Sequence, residues 1–149
     1  MARLVLLVVL ALLAPHPAPA GERFAVIVHP SRTETIDVAE LARIYLRKRR
    51  LWRDGTPIVP LNQAPGSPAR EAFSRHVFGH DSAHLAGYWN EAYFEGVLPP
   101  EVLSSSAAVK RYVAAEPRAI GYIPSADVDG SVRAVLVLGE EAAQAAPPR

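Results

Sequence analysis

Phe24-Ala25-Val26-Ile27-Val28 is an unbroken apolar run stopped by His29-Pro30, which predicts a strand buried on both faces. From Asp37 the period changes: Val38, Leu41, Ala42 and Tyr45 share one helical face, and Asp37 with Glu40 forms a carboxylate version of the capping box. This helix runs into Arg47-Lys48-Arg49-Arg50, where cations suit the negative end of the dipole. Asp54-Gly55 is a turn, and Pro57-Ile58-Val59-Pro60-Leu61 is a second short strand whose prolines point to an edge or a strand end. A helix then places Ala69, Ala72, Phe73, His76 and Val77 on one face and stops near Gly79. Another starts around Ser82, carries Leu85, Tyr88, Trp89, Ala92 and Tyr93 inward, and ends near Gly96. Val97 to Leu103 is a proline-containing link. Ser104-Ser105-Ser106 leads a helix with Val109, Tyr112 and Val113 inward, closed by Pro117. Ile120-Gly121-Tyr122-Ile123 and Val132 to Leu138 are strands separated by an Asp127-Val128-Asp129-Gly130 loop. Strands alternating with helices predict a three-layer α/β domain on a mixed sheet, without internal repeats.

The ends of the chain narrow this further. Arg3, the apolar run Leu4 to Leu13 and the small-residue ending Ala18-Pro19-Ala20 have the three-part layout of a secretory signal cleaved after Ala20. The apolar run is short for a bilayer span, so an exported protein is expected, periplasmic or secreted and not membrane-spanning after cleavage, with a retained anchor as the alternative. The expected domain is 21–139, followed by a disordered Ala/Pro/Gln tail over 140–149. Cysteine is absent, which excludes disulfides, thiolate metal sites and cysteine nucleophiles. The formal net charge is +1, and losing Arg3 with the leader brings the remainder near neutral, so overall charge gives nucleic-acid binding no support.

One stretch has the makings of an anion site. Ala64-Pro65-Gly66-Ser67-Pro68-Ala69-Arg70 follows a short strand and opens a helix. Gly66 lets backbone approach a ligand, Ser67 caps with its hydroxyl, and Pro68 fits the first helical position, where no N–H is needed. N–H groups then face outward at the positive end of the dipole, with Arg70 one turn in as a clamp. The same residues would equally make a plain N-cap. Ser104-Ser105-Ser106 likewise precedes a helix and reads either as a cap or as a source of hydroxyls. Arg47 to Arg50 with Arg53 reads as a solvated helix end or as a surface for an acidic partner or lipid head groups. His76, His80 and His84 recur every four residues, but Gly79 and Asp81 interrupt the helix between them, so no metal site is expected. Ser67 lacks the flanking glycines of a nucleophile elbow, and no acid pair has catalytic spacing, so no enzyme and no cofactor are expected.

The order of these elements resembles the periplasmic phosphate-binding proteins of ABC importers, and more closely their short single-domain relatives. The resemblance rests on Phe24 to Pro30, Leu41 to Leu46, Trp52 to Pro60, Gly66-Ser67 and Ala119-Ile120-Gly121-Tyr122-Ile123 in that order. It implies a single lobe of the type II periplasmic-binding-protein-like α/β/α fold with a mixed sheet. It carries Gly66 and Ser67 over as phosphate ligands. The family's Arg precedes the Gly-Ser pair, at about Gln63, and Arg70 stands as its substitute. The exit of the first strand, at Ser31, is the family's other place of ligand contact, and Ser105 and Ser106 join the set. The family's Asp before the Gly-Ser pair is Pro65 here, and its Gly-Thr is Pro68-Ala69. The resemblance therefore implies weak binding of free phosphate and a site completed by a partner surface. The function expected is an exported module that binds a small oxyanion such as phosphate, linked to ABC-type uptake through a permease or another envelope protein. The alternative is an accessory or sensory periplasmic protein whose degenerate site binds another protein.

Overall fold

The computed structural model describes residues 23–139; the leader read over 1–20 and the tail read over 140–149 lie outside the described residues. Strand β1 (Phe24–Val28) is buried along its whole length, as its continuous apolar run predicts. Helix α1 (Val38–Tyr45) is capped by Asp37, whose carboxylate accepts from Glu40 N at 2.7 Å while Glu40 reaches back to Asp37 N. It buries Leu41, Ile44 and Tyr45 and leaves Val38 exposed, so its inward stripe lies about one residue round from the face expected. The helix stops before the basic run, because Arg47 turns left-handed at φ 60°.

Strand β2 (Val59–Gln63) follows, then α2 (Pro68–Phe78), a short 3-10 turn at Ser82–Leu85, α3 (Ala86–Phe94), β3 (Glu101–Leu103), α4 (Ser106–Ala115), β4 (Ala119–Pro124) and β5 (Arg133–Leu138). The sheet order is β3-β2-β4-β1-β5. Strands β2, β3 and β4 run parallel, and β1 is antiparallel to both β4 and β5. Strand β2 is thus interior, so of the two places its prolines suggested, an edge or a strand end, they take the strand end: Pro57 lies before the strand and Pro60 is its second residue. Pro60 is tolerated because β2 pairs with β4 there, opposite Ile120, and gains its β3 partner only from Leu61 onward. Strand β3 falls within the stretch the sequence predicts to be a link, because it is three residues long and too short to show a period.

Helices cover both faces. Phe73 and Val77 of α2 and Leu41, Ile44 and Tyr45 of α1 pack with Val26, Val28, Ile120 and Tyr122. Val109 and Val113 of α4 pack with Ala25, Ile27, Leu61, Ala119 and Ile123 on the other side. The alternation of β1 and β4 residues between these clusters is the two-residue period of strands. Gly121 sits beneath α4, and a Cβ there would run into Val109. Phe73 stacks on Tyr122 with centroids 4.0 Å apart and meets Tyr45 at 4.6 Å. On α2 the buried neighbour of Phe73 is Ser74 rather than His76, which is exposed. Helix α3 departs most from expectation. It buries only Ala92 and half-buries Tyr88 and Trp89, while Tyr93 is 65% and Phe94 82% exposed. Trp52 is buried, with its indole N–H donating to Arg118 O at 2.9 Å.

Candidate functional site

Two adjacent parallel strands deliver helix N-termini to one edge of the sheet. Gln63 ends β2 opposite Leu103, which ends β3. From Gln63 the chain turns through Gly66, at φ 80°, into α2 on one face; from Leu103 it turns through Ser104-Ser105 into α4 on the other. Neighbouring parallel strands whose connections leave to opposite faces open a crevice outside their carboxyl ends. Ser67 Oγ caps α2 by accepting from Arg70 N at 3.2 Å, and Ser105 Oγ caps α4 by accepting from Ala108 N at 3.1 Å.

Buried Gln63 ties the two helix ends together. Its side-chain carbonyl accepts from Ser106 Oγ at 3.2 Å, and its backbone carbonyl accepts from Arg70 Nη1 at 3.0 Å. Its amide NH2 donates to Tyr122 O at 3.0 Å, and its backbone N–H donates to the Tyr122 hydroxyl at 3.2 Å. That hydroxyl in turn donates to Asn62 Oδ1 at 2.7 Å. Burial pushes the Tyr122 phenol up to about 12, so it is a neutral donor at any physiological pH.

Of the six residues singled out by sequence, Gly66, Ser67, Arg70, Ser105 and Ser106 gather along this edge. Ser31 does not. Because β1 is antiparallel, Val28 lies level with Ile120 and hence with Pro60, and the chain leaves β1 away from Gln63. Ser31 therefore lies at the opposite end of the sheet, on the order of 15 Å or more along the strand direction. There its hydroxyl bonds His29 Nδ1 at 2.7 Å. The adjoining Arg32 has its own partners: Asp54 at 2.7 Å, Thr56 at 2.9 Å and Pro117 O at 2.7 Å. Ser31 and the α2 start thus cannot share a small ligand.

The backbone donors of α2 are also not those expected. Gly66 N–H donates to Glu71 Oε1 at 3.0 Å, Ser67 N–H to Ala64 O at 3.1 Å, and Arg70 N–H to the Ser67 cap, while Pro68 has no N–H. Among the first positions of α2 only Ala69 keeps an outward N–H, alongside the Ser67 hydroxyl proton and the rest of the Arg70 guanidinium. At α4, Ser106 and Ala107 occupy the first two helical positions and keep both N–H groups free of intrahelical partners. Glu71, Ser82 and Gln63 are the contributors that sequence reasoning missed. An acid in the first turn of a helix is a visible signal for Glu71; Ser82 and Gln63 enter only through pairing distant in sequence.

The described residues hold no cluster of three or more His, Cys, Asp or Glu side chains suited to a metal ion, and no helix among them is long and apolar enough to cross a membrane. No protein-family model matches the chain, and neither does any curated protein. Solved structures do match. A protein from Clostridium perfringens, assigned as a phosphate ABC transporter substrate-binding protein and solved with bound phosphate, aligns over 78% of this chain at TM-score 0.64 and 27% identity. An ABC-type phosphate transport receptor from Vibrio cholerae aligns over 78% at TM-score 0.63 and 22% identity. The alignments cover 45% and 46% of those proteins, so this chain spans just under half the length of either. The described residues are therefore an α/β/α lobe with a mixed sheet, of the type II periplasmic-binding-protein-like class. Within that class the fold is phosphate-binding-protein-like.

Proposed function

We propose that this protein is an exported, non-enzymatic substrate-binding-protein-like module that binds a small oxyanion such as phosphate. The binding place is the crevice between the starts of α2 and α4. The observation that carries this reading is the junction at buried Gln63, whose backbone carbonyl takes the Arg70 guanidinium and whose side-chain carbonyl takes the Ser106 hydroxyl, beside two helix N-termini. The ligand would take the Ala69, Ser106 and Ala107 N–H groups, the Ser67 and Ser105 hydroxyls and a free N–H of Arg70, all donors, as an anion needs. Export rests on the leader pattern of residues 1–20. A role in ABC-type phosphate uptake, with a permease or another envelope protein closing the open side, extends the reading from the phosphate-binding structures the fold matches.

The crevice faces water, so its Coulomb terms are several-fold weaker than in a closed cleft, and modest affinity is expected. Isothermal titration with phosphate and then sulfate at low salt tests the reading. Binding that Ser67→Ala or Arg70→Ala weakens about tenfold or more would support it; binding indifferent to both would remove the site assignment. One observation favours the accessory-protein alternative: Tyr93, Phe94, Leu98 and Val102, close together in the sequence, are all at least half exposed. A stable envelope complex lost on Phe94→Ser, together with no heat from phosphate, would favour it over anion binding.

A further inference from the structure

Glu71 stands one turn into α2, and its carboxylate is held by neutral donors from two separate segments. Oε1 accepts from Gly66 N at 3.0 Å and from Ser82 Oγ at 2.6 Å, and Oε2 accepts from Ser82 N at 2.9 Å. Among the described residues no ion pair joins it to Arg70 or Arg75, although both line the same open hollow of about 630 Å³, with Asp81 on its rim. Two backbone N–H groups and a hydroxyl converging on paired anionic oxygens form an oxyanion nest, and this one is filled from within. Gly66 takes a left-handed conformation to aim its N–H there, so a sequence signal for ligand approach serves an internal carboxylate.

We propose that Glu71 is a tethered competitor that sets the affinity of the oxyanion site: a small tetrahedral oxyanion gains the Gly66 N–H only when the Glu71 carboxylate swings away. This rests on the reading of the crevice as an oxyanion site. A carboxylate attached through its own helix competes at an effective concentration on the order of millimolar or more, independent of dilution. Binding affinity falls by the fraction of molecules in which the nest is open. A retained carboxylate would also face the incoming anion as a like charge. The displacement needs only side-chain rotation, since the Ser67 cap and the Arg70–Gln63 bond hold α2 in place without Glu71.

The test is titration of the purified protein with inorganic phosphate, followed by isothermal calorimetry and by the amide NMR signals of Gly66 and Ser82. Glu71→Ala is expected to tighten phosphate binding tenfold or more, with the Gly66 signal moving on addition of phosphate. Glu71→Gln keeps the shape but supplies a neutral acceptor, and is expected to tighten binding by a smaller factor; it also carries the test if the alanine variant does not fold. Phosphate bound by the wild type, but no more tightly by either variant, overturns the proposal and leaves the site reading standing. Folded wild type and variants that all ignore phosphate at tens of millimolar overturn both.

Discussion

Helices α2 and α4 begin by the same device and arrive at different states. Each follows a parallel strand at the same edge of the sheet, and each is capped by a serine whose hydroxyl accepts the N–H three residues on. Yet α2, with the Gly-Ser-Pro opening that looks best suited to an anion, has Gly66, Ser67 and Arg70 N–H groups already engaged. Helix α4, opened by an unremarkable serine run, keeps its first two N–H groups open. Turn chemistry says that donors will converge; it does not say whether the protein itself will occupy them. The seats of the two helices differ as well: α2 is fixed by aromatic stacking, α4 by close approach to a glycine.

The largest break in this comparison comes from the α2 seat. Phe73→Ala removes the ring stacked on Tyr122 and packed on Tyr45, and is expected to cost about 3–5 kcal/mol in urea unfolding. For the α4 seat, Gly121→Ala puts a methyl against Val109 and should cost about 1–3 kcal/mol by overpacking. An effect near zero would show that α4 rides more loosely than its contacts imply.

Smaller effects compare the caps. Ser67→Ala and Ser105→Ala are each expected to lose about 1 kcal/mol of stability in matched urea midpoints. The two should nevertheless differ in what they do to phosphate titrations, since Ser67 lies beside Arg70. The smallest effect is electrostatic. Hydrogen bonds from the Ser82 hydroxyl, then from its N–H, with Gly66 N–H adding, hold the Glu71 carboxyl below its ordinary range. A depressed carboxyl contributes stability above its unfolded value, and that contribution is lost as pH falls through the folded value. Below about pH 4, acid unfolding should therefore be shallower in Glu71→Gln than in wild type, while the two follow parallel courses from pH 6 to 8.

Much of the lobe was legible because it is local. The Asp37 and Ser67 caps, the left-handed Gly79 ending α2, and the buried runs of β1 and β4 all follow from neighbours within a turn or a strand. What misled was also local. The prolines around β2 pointed to an edge or a strand end, and only the second holds: β2 is interior, Pro57 falls outside the strand, and Pro60, its second residue, has a partner on one side only. The stripe of α3 predicted a buried face, of which Ala92 is buried and Leu85, Tyr88 and Trp89 are half-buried, but Tyr93 faces outward, because periodicity names a face without supplying anything to cover it. The candidate site was legible as far as Gly66, Ser67, Arg70, Ser105 and Ser106 sharing an edge; Ser31 was not, because its place depends on the direction of β1.

By itself the sequence determined most of the elements, short β3 apart, with their capping residues and the α/β alternation, since these depend on φ preferences, hydrogen-bonding side chains and periodicity over a few residues. Only the tertiary structure decided that β1 runs against its neighbours, that Gln63 joins the starts of α2 and α4, and that Ser82 helps hold Glu71 against Gly66. Those outcomes depend on which strands pair and which segments meet after the chain has closed its long loops, and no short window of residues encodes them.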